Sequence, residues 1–146
     1  KQIGKVDGPG KEHVVDQKQI NLFADATGDH QFIHVDPEKA AKLSPYKVTI
    51  AHGFLTLSLL PFLQGSIAQS DPEAYQGLVM GVNYGLDKVR FPAPVPSGSR
   101  VRGTFRVDAI RHEDWGREMT MTATTASDGV EKPVCVAEVV YRYYAL

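Results

Sequence analysis

The sequence has a single cysteine, Cys135, which excludes an internal disulfide and suits a reducing compartment. Charge is nearly balanced at a formal net of -1, giving no general reason to expect nucleic acid or an anionic membrane as partner. No apolar run approaches the roughly 20 residues needed to cross a bilayer as a helix. The longest, over 54–63, is interrupted by Thr56, Ser58 and Pro61. Lys1 leads into Gly4, Asp7 and Pro9 rather than into the apolar core of a signal peptide, so a cytoplasmic location is expected. No serine or cysteine stands in a nucleophile motif, and there is no glycine-rich phosphate loop, internal repeat or low-complexity segment.

What is present is ordinary globular material. The 146 residues, 42% hydrophobic and 23% charged, are enough for one domain over 1–146 with a real core. Residues 1–11, rich in glycine and lysine, are expected to be loosely ordered, with a short strand after them over 12–15. Asp16 is a good N-cap for a helix over 17–27, with Ile20, Phe23, Ala24 and Thr27 on one stripe. Gly28 ends that helix, because glycine tolerates the left-handed cap conformation. Asp36 and Pro37 open another, reaching about Leu43, and Ser44, Pro45 and Tyr46 make a turn. From Gly53 to about Gln69 apolar residues take every face. That predicts a buried helix, kinked or confined by Pro61 and ended by Ser70, Asp71 and Pro72.

The second half changes period. Residues 77–91 read as one long glycine-bearing strand with a bulge or bend, and 92–98 as a turn-rich connection. Over 99–112, Arg100, Arg102, Thr104, Arg106 and Asp108 take one face and Val101, Gly103, Phe105, Val107 and Ala109 the other. A threonine-rich strand over 119–127, a turn at Asp128 and Gly129, and a last strand over 134–144 follow, with Cys135 in the core. Long strands after one buried helix predict an α+β fold. Its antiparallel sheet wraps one face around that helix.

The segment 23–40 carries the chemistry. Between the two helix signals lies a short irregular stretch with Asp29 and, five residues on, His34 among Phe32, Ile33 and Val35. A carboxylate and an imidazole aimed at one point suit acid–base work on a water molecule. An arbitrary pair at this spacing would more simply cap a turn and fill a gap. His30, His34 and His52 raise the question of a metal, since His30 and His34 would share one helical face. Gly28 and the apolar 32–33 run argue against continuous helix there, and no cysteine cluster joins them. Neither a metal nor a cofactor is expected.

The wording of this segment resembles the hydratase-2 motif of the MaoC-like dehydratases, the (R)-specific enoyl-CoA hydratases. Phe23, Thr27, Gly28, Asp29, Ile33, His34 and Ala40 fit it. Ala26, Gln31 and Phe32 depart, the last two standing where the motif has Asn-Pro. Within the family the wording is most similar to the branch related to nodulation protein N, and the likeness continues through 51–56. It implies a hot-dog fold with residues 53–69 as the central helix, usually a homodimer joined sheet edge to edge. It further implies reversible hydration of a trans-2-enoyl thioester carried on coenzyme A or acyl carrier protein. His34 would be the base and Asp29 the acid in the hydration direction. The Gly53 N–H would receive the oxyanion, and His52 would be structural. Two other functions fit the same fold: a thioesterase, or a non-catalytic subunit that binds acyl thioesters. Arg100, Arg102, Arg106, Lys88 and Arg90 read first as a solvated sheet face, and second as contacts for carrier phosphates.

Overall fold

The computed structural model describes residues 3–67 and 76–145. Local signals set its first half. After two short strands, β1 (Val6–Asp7) and β2 (His13–Val15), Asp16 accepts from the Gln19 N–H and caps α1 (Gln17–Thr27). Gly28 closes that helix at φ 83°, in the left-handed region a side chain resists, and donates its N–H to Ala24. Ile20 and Ala24 are buried, whereas Thr27 faces out with its hydroxyl turned back onto the Phe23 carbonyl. A single turn, α2 (Phe32–Val35), and α3 (Pro37–Leu43) follow, with Asp36 ending one and capping the other.

The central helix forms as two pieces, α4 (Gly53–Ser58) and α5 (Leu60–Gly65). Pro61 sits in the first turn of the second piece, where its missing N–H costs nothing. Leu55, Leu59, Leu60 and Leu63 are buried, each worth roughly 1.5–3 kcal/mol by area. The expectation of burial on every face fails, because Phe54 and Phe62 are 69% and 59% exposed. The sheet covers only the side of the helix that carries the leucines. The predicted end at Ser70–Pro72 lies outside the described residues.

Four long strands complete the chain: β3 (Leu78–Arg90), β4 (Ser99–Glu113), β5 (Gly116–Ser127) and β6 (Cys135–Ala145). The antiparallel sheet runs β1-β4-β5-β6-β3, with β2 also pairing β4. Val101, Phe105, Val107, Met119, Met121, Ala123, Ala137 and Val139 form the face that meets α4 and α5. Gly103 lets α5 come close: a Cβ there would lie 3.2 Å from Leu63 Cβ and 3.0 Å from the Phe105 ring. This is the α+β, hot-dog arrangement, a sheet wrapped around a helix.

Two further expectations are corrected. Residues 4–10 are not loose: Gly4 N–H bonds Val107, Val107 N–H bonds Lys5, and Gly10 N–H bonds Gly103, so β1 lies along β4. The alternation on β4 also breaks. A register shift between Val107 and Ala109 puts Ala109 outside and turns Ile110 inward, as an extra residue in one strand must.

Candidate active site

Three segments converge beside the start of α4: the end of α1, the turn α2, and residues 49–53. Asp29 follows the left-handed Gly28, which swings the chain off the α1 axis. Its carboxylate is exposed and accepts from the Gln31 N–H at 3.3 Å. His34 lies on α2 rather than in irregular chain, and is only 7% exposed. Its Nδ1 is 2.7 Å from the Ile50 carbonyl. A carbonyl only accepts, so Nδ1 carries the proton and Nε2 is left with a free lone pair. Burial holds the His34 pKa below its ordinary value of 6.5, assisted by His52 and opposed by the Ile50 carbonyl and the Asp29 charge. At neutral pH the ring is therefore an uncharged base.

His52 joins the pair. Its ring stacks on His34 with centroids 3.9 Å apart and planes at 22°, and Phe23 packs against it at 4.9 Å. Its Nε2–H donates to the Asp29 carbonyl at 2.9 Å. One side chain thus touches both members of the pair. His30 turns away to Asp25 at 2.8 Å.

Donor atoms of Asp29, His34 and His52 lie within 4.8 Å of one another. The two imidazoles lie face to face, however, so their in-plane lone pairs run side by side. A tetrahedral ion needs them to converge at about 2.0–2.1 Å. The arrangement favours proton transfer over ligation.

Gly53 is the first residue of α4, so its N–H has no intrahelical acceptor. The Phe91 ring lies over it. A cavity of about 240 Å³ opens here, lined by Tyr46, Ile50, Gly53, Thr56, Phe91 and Val95 among others. A second, of about 360 Å³, starts one helical turn further on at Leu57 and Ser58. It runs between α5 and the strands β3 and β6, past Leu60, Tyr84, Leu86 and Val139. Such a slot suits an extended apolar chain.

The motif departures leave this geometry intact. Phe32 takes the first position of α2, where proline is favoured but not required, and its ring lies 5.0 Å from the Lys39 ammonium. Gln31 contributes main-chain groups, its N–H to Asp29 and its carbonyl to His34 N–H. Sequence reasoning missed Phe91, Gln17 and Thr49, none of which has a local signal pointing to the site. The β4 arginines stay away from it: Arg100 and Arg102 pair with Glu12, and Arg106 with Asp108.

The structure thus places a carboxylate and an uncharged imidazole together on an α+β hot-dog domain, beside the start of its central helix. The chain belongs to the MaoC like domain family, whose model matches residues 1–130. It is 52% identical over 134 residues to 3-hydroxyacyl-thioester dehydratase Z of Mycobacterium tuberculosis, covering 90% of this chain and 83% of that one. It is 51% identical over 129 residues to nodulation protein N of Rhizobium leguminosarum bv. viciae, covering 88% and 75%. Among solved structures, an (R)-hydratase from A. caviae involved in PHA biosynthesis superposes with a TM-score of 0.75 at 24% identity, covering 97% of this chain and 96% of that one. An R-hydratase of Pseudomonas aeruginosa does so with 0.76 at 20% identity, covering 100% and 84%. At those identities the structural likeness speaks for the fold.

Proposed function

We propose that residues 1–146 act as one MaoC-like hot-dog domain that reversibly hydrates trans-2-enoyl thioesters to (R)-3-hydroxyacyl thioesters in fatty acid metabolism. The observation that carries this is the locked His34 tautomer, with a free Nε2 beside the Asp29 carboxylate. Water loses one proton to the pair as its oxygen bonds Cβ. The alkene electrons move toward the thioester, whose oxygen gains charge and takes the Gly53 N–H. A proton from the pair then reaches Cα, and the pair ends as it began. His34 is the base and Asp29 the acid in hydration, with the roles exchanged in dehydration. The relatives named as dehydratases support the reaction class.

The reading includes a thioester carried on coenzyme A or acyl carrier protein, a cytoplasmic setting, and a homodimer. Among the described residues β3 pairs only with β6, and its free side exposes Val79, Met80, Val82, Tyr84 and Leu86. An exposed apolar edge invites a second strand. A second copy there would cover these residues and wall the cavity that Tyr84 and Leu86 line. No helix among the described residues is long and apolar enough to cross a membrane.

The test is incubation with crotonyl-CoA, alongside Asp29→Asn and His34→Ala. Loss of the enoyl absorbance, formation of 3-hydroxybutyryl-CoA without free thiol, and rates lower by about 10²–10⁴ in each variant are expected. Free coenzyme A would point to thioester hydrolysis instead. No turnover on this or a longer enoyl-CoA would point to a binding role.

A further inference from the structure

Gln17 is the first residue of α1, and its side chain leaves that helix for the site. Its Nε2 donates to the His34 carbonyl at 2.7 Å and to Asn21 Oδ1 at 2.9 Å. Its Oε1 accepts from the Thr49 hydroxyl at 2.6 Å. The His34 carbonyl can only accept, which fixes the orientation of the amide, and both amide hydrogens are used. Thr49 is buried, and the next residue supplies the carbonyl that holds His34 Nδ1–H. Ile50 also donates its N–H to Ile33 at 2.9 Å. The His34 ring, the His34 main chain and the residue before it are thus all tied to residues 49–50, and Gln17 joins the His34 main chain to Thr49.

We infer that Gln17 is a positioning residue for His34. By joining the His34 main chain to Thr49, it sets the approach of the imidazole to the Ile50 carbonyl. That approach fixes the tautomer that leaves Nε2 free. The turn carrying His34 has only four residues and cannot hold itself in place. A displacement of about 1 Å at a reacting group costs on the order of 10²-fold in rate. The inference rests on His34 acting as the base of the proposed hydration.

Gln17→Met keeps the length of the side chain and removes all three bonds. Thr49→Val removes only the hydroxyl bond. Asn21→Ala removes only the bond that stays within α1. Turnover of crotonyl-CoA across pH is measured together with the 15N shifts of the His34 ring, which report which nitrogen is protonated. In Gln17→Met, kcat is expected to fall about 10- to 100-fold with KM near the parent value. The acid limb of kcat/KM moves to lower pH, because the Ile50 bond that raises the His34 pKa is weakened. The ring shifts from pure Nδ1–H to a mixture of tautomers. Thr49→Val follows in the same direction by less, and Asn21→Ala matches the parent. An unchanged tautomer and kcat in Gln17→Met overturns the inference, as does the same loss in Asn21→Ala. Should Gln17→Met fail to fold, an unchanged tautomer in Thr49→Val overturns it. The 15N readout needs no turnover, so it decides the role of Gln17 even if the protein proves not to be a hydratase. A parent ring protonated on Nε2 would also overturn it.

Discussion

Replacing Gly53 by alanine separates packing from catalysis at the start of α4. A Cβ there would lie 3.0 Å from Phe91 Cδ2 and 3.1 Å from Cγ and Cε2. Ordinary carbon contacts run about 3.5–4.0 Å, so the ring must retreat by roughly half an ångström. Phe91 is 38% exposed and free to do so. The cost sits at the low end of overpacking, about 1 kcal/mol, or a Tm lower by about 2–4 °C for a chain of this size. Activity should suffer far more if the thioester oxygen must come within about 2.7–3.1 Å of the Gly53 nitrogen. The methyl group leaves the N–H in place but crowds that approach. The expected loss is about 10² in kcat, or about 2.7 kcal/mol of transition-state stabilisation. Steady-state kinetics with crotonyl-CoA and a thermal melt are run on Gly53→Ala, Phe91→Ala and the double variant. Removing the ring should abolish the stability cost of the methyl while kcat stays low, a coupling confined to Tm. Parental kcat in Gly53→Ala, or kcat restored in the double variant, would show that the glycine serves only to seat the phenylalanine.

Other tests follow from burial and packing. His34 titrates below 6.5 in the folded protein, so as pH falls past 6.5 the unfolded chain takes up its proton first. Stability from this group is therefore lost from 6.5 down to the lowered folded value and is flat above; Tm against pH should be less steep there in His34→Gln, and equal slopes would refute the assignment. Gly103→Ala forces a methyl against the buried Phe105 ring and Leu63 and should cost about 1–3 kcal/mol by urea unfolding; no loss would mean α5 does not approach β4 as described. The Cys135 thiol is fully buried, with its pKa pushed up to about 11, so iodoacetamide should label it only in denaturant, and rapid labelling of the native protein would contradict its place in the core.

What the sequence disclosed is what short-range physics decides. Asp16, Gly28, Asp36 and Pro37 act within a turn of their own positions, and the helix boundaries they predict are those observed. The bulge after Val107 depends on register with β5, and the pairing of Val6 and Asp7 on the position of β4. No local pattern carries either. The same divide runs through the candidate site. Asp29 and His34 lie five residues apart in a motif, and their approach was legible. The Ile50 carbonyl that sets the His34 tautomer is 16 residues away, and Thr49 is 32 residues from Gln17. Those contacts exist only because the fold brings three segments together.

How the site acquires rigidity follows from where those segments are anchored. The pair sits on a single helical turn and an exposed carboxylate, neither of which holds its own geometry. Both hang on residues 49–52, through the Ile50 carbonyl and the His52 ring. Residues 49–51 are fastened in turn to the connection between β3 and β4: Ala51 N–H bonds Val95 at 2.8 Å and Ser97 N–H bonds the Thr49 carbonyl at 2.9 Å. That connection carries Pro92, Pro94 and Pro96 at alternate positions. Each ring fixes φ and removes a donor that would otherwise need a partner. What the sequence marks as a turn-rich link is therefore stiffened by its prolines and bonded to residues 49–51. It transmits the order of the sheet to the imidazole. On this account the placement of the His34 imidazole depends on three prolines far from the motif as well as on the motif itself.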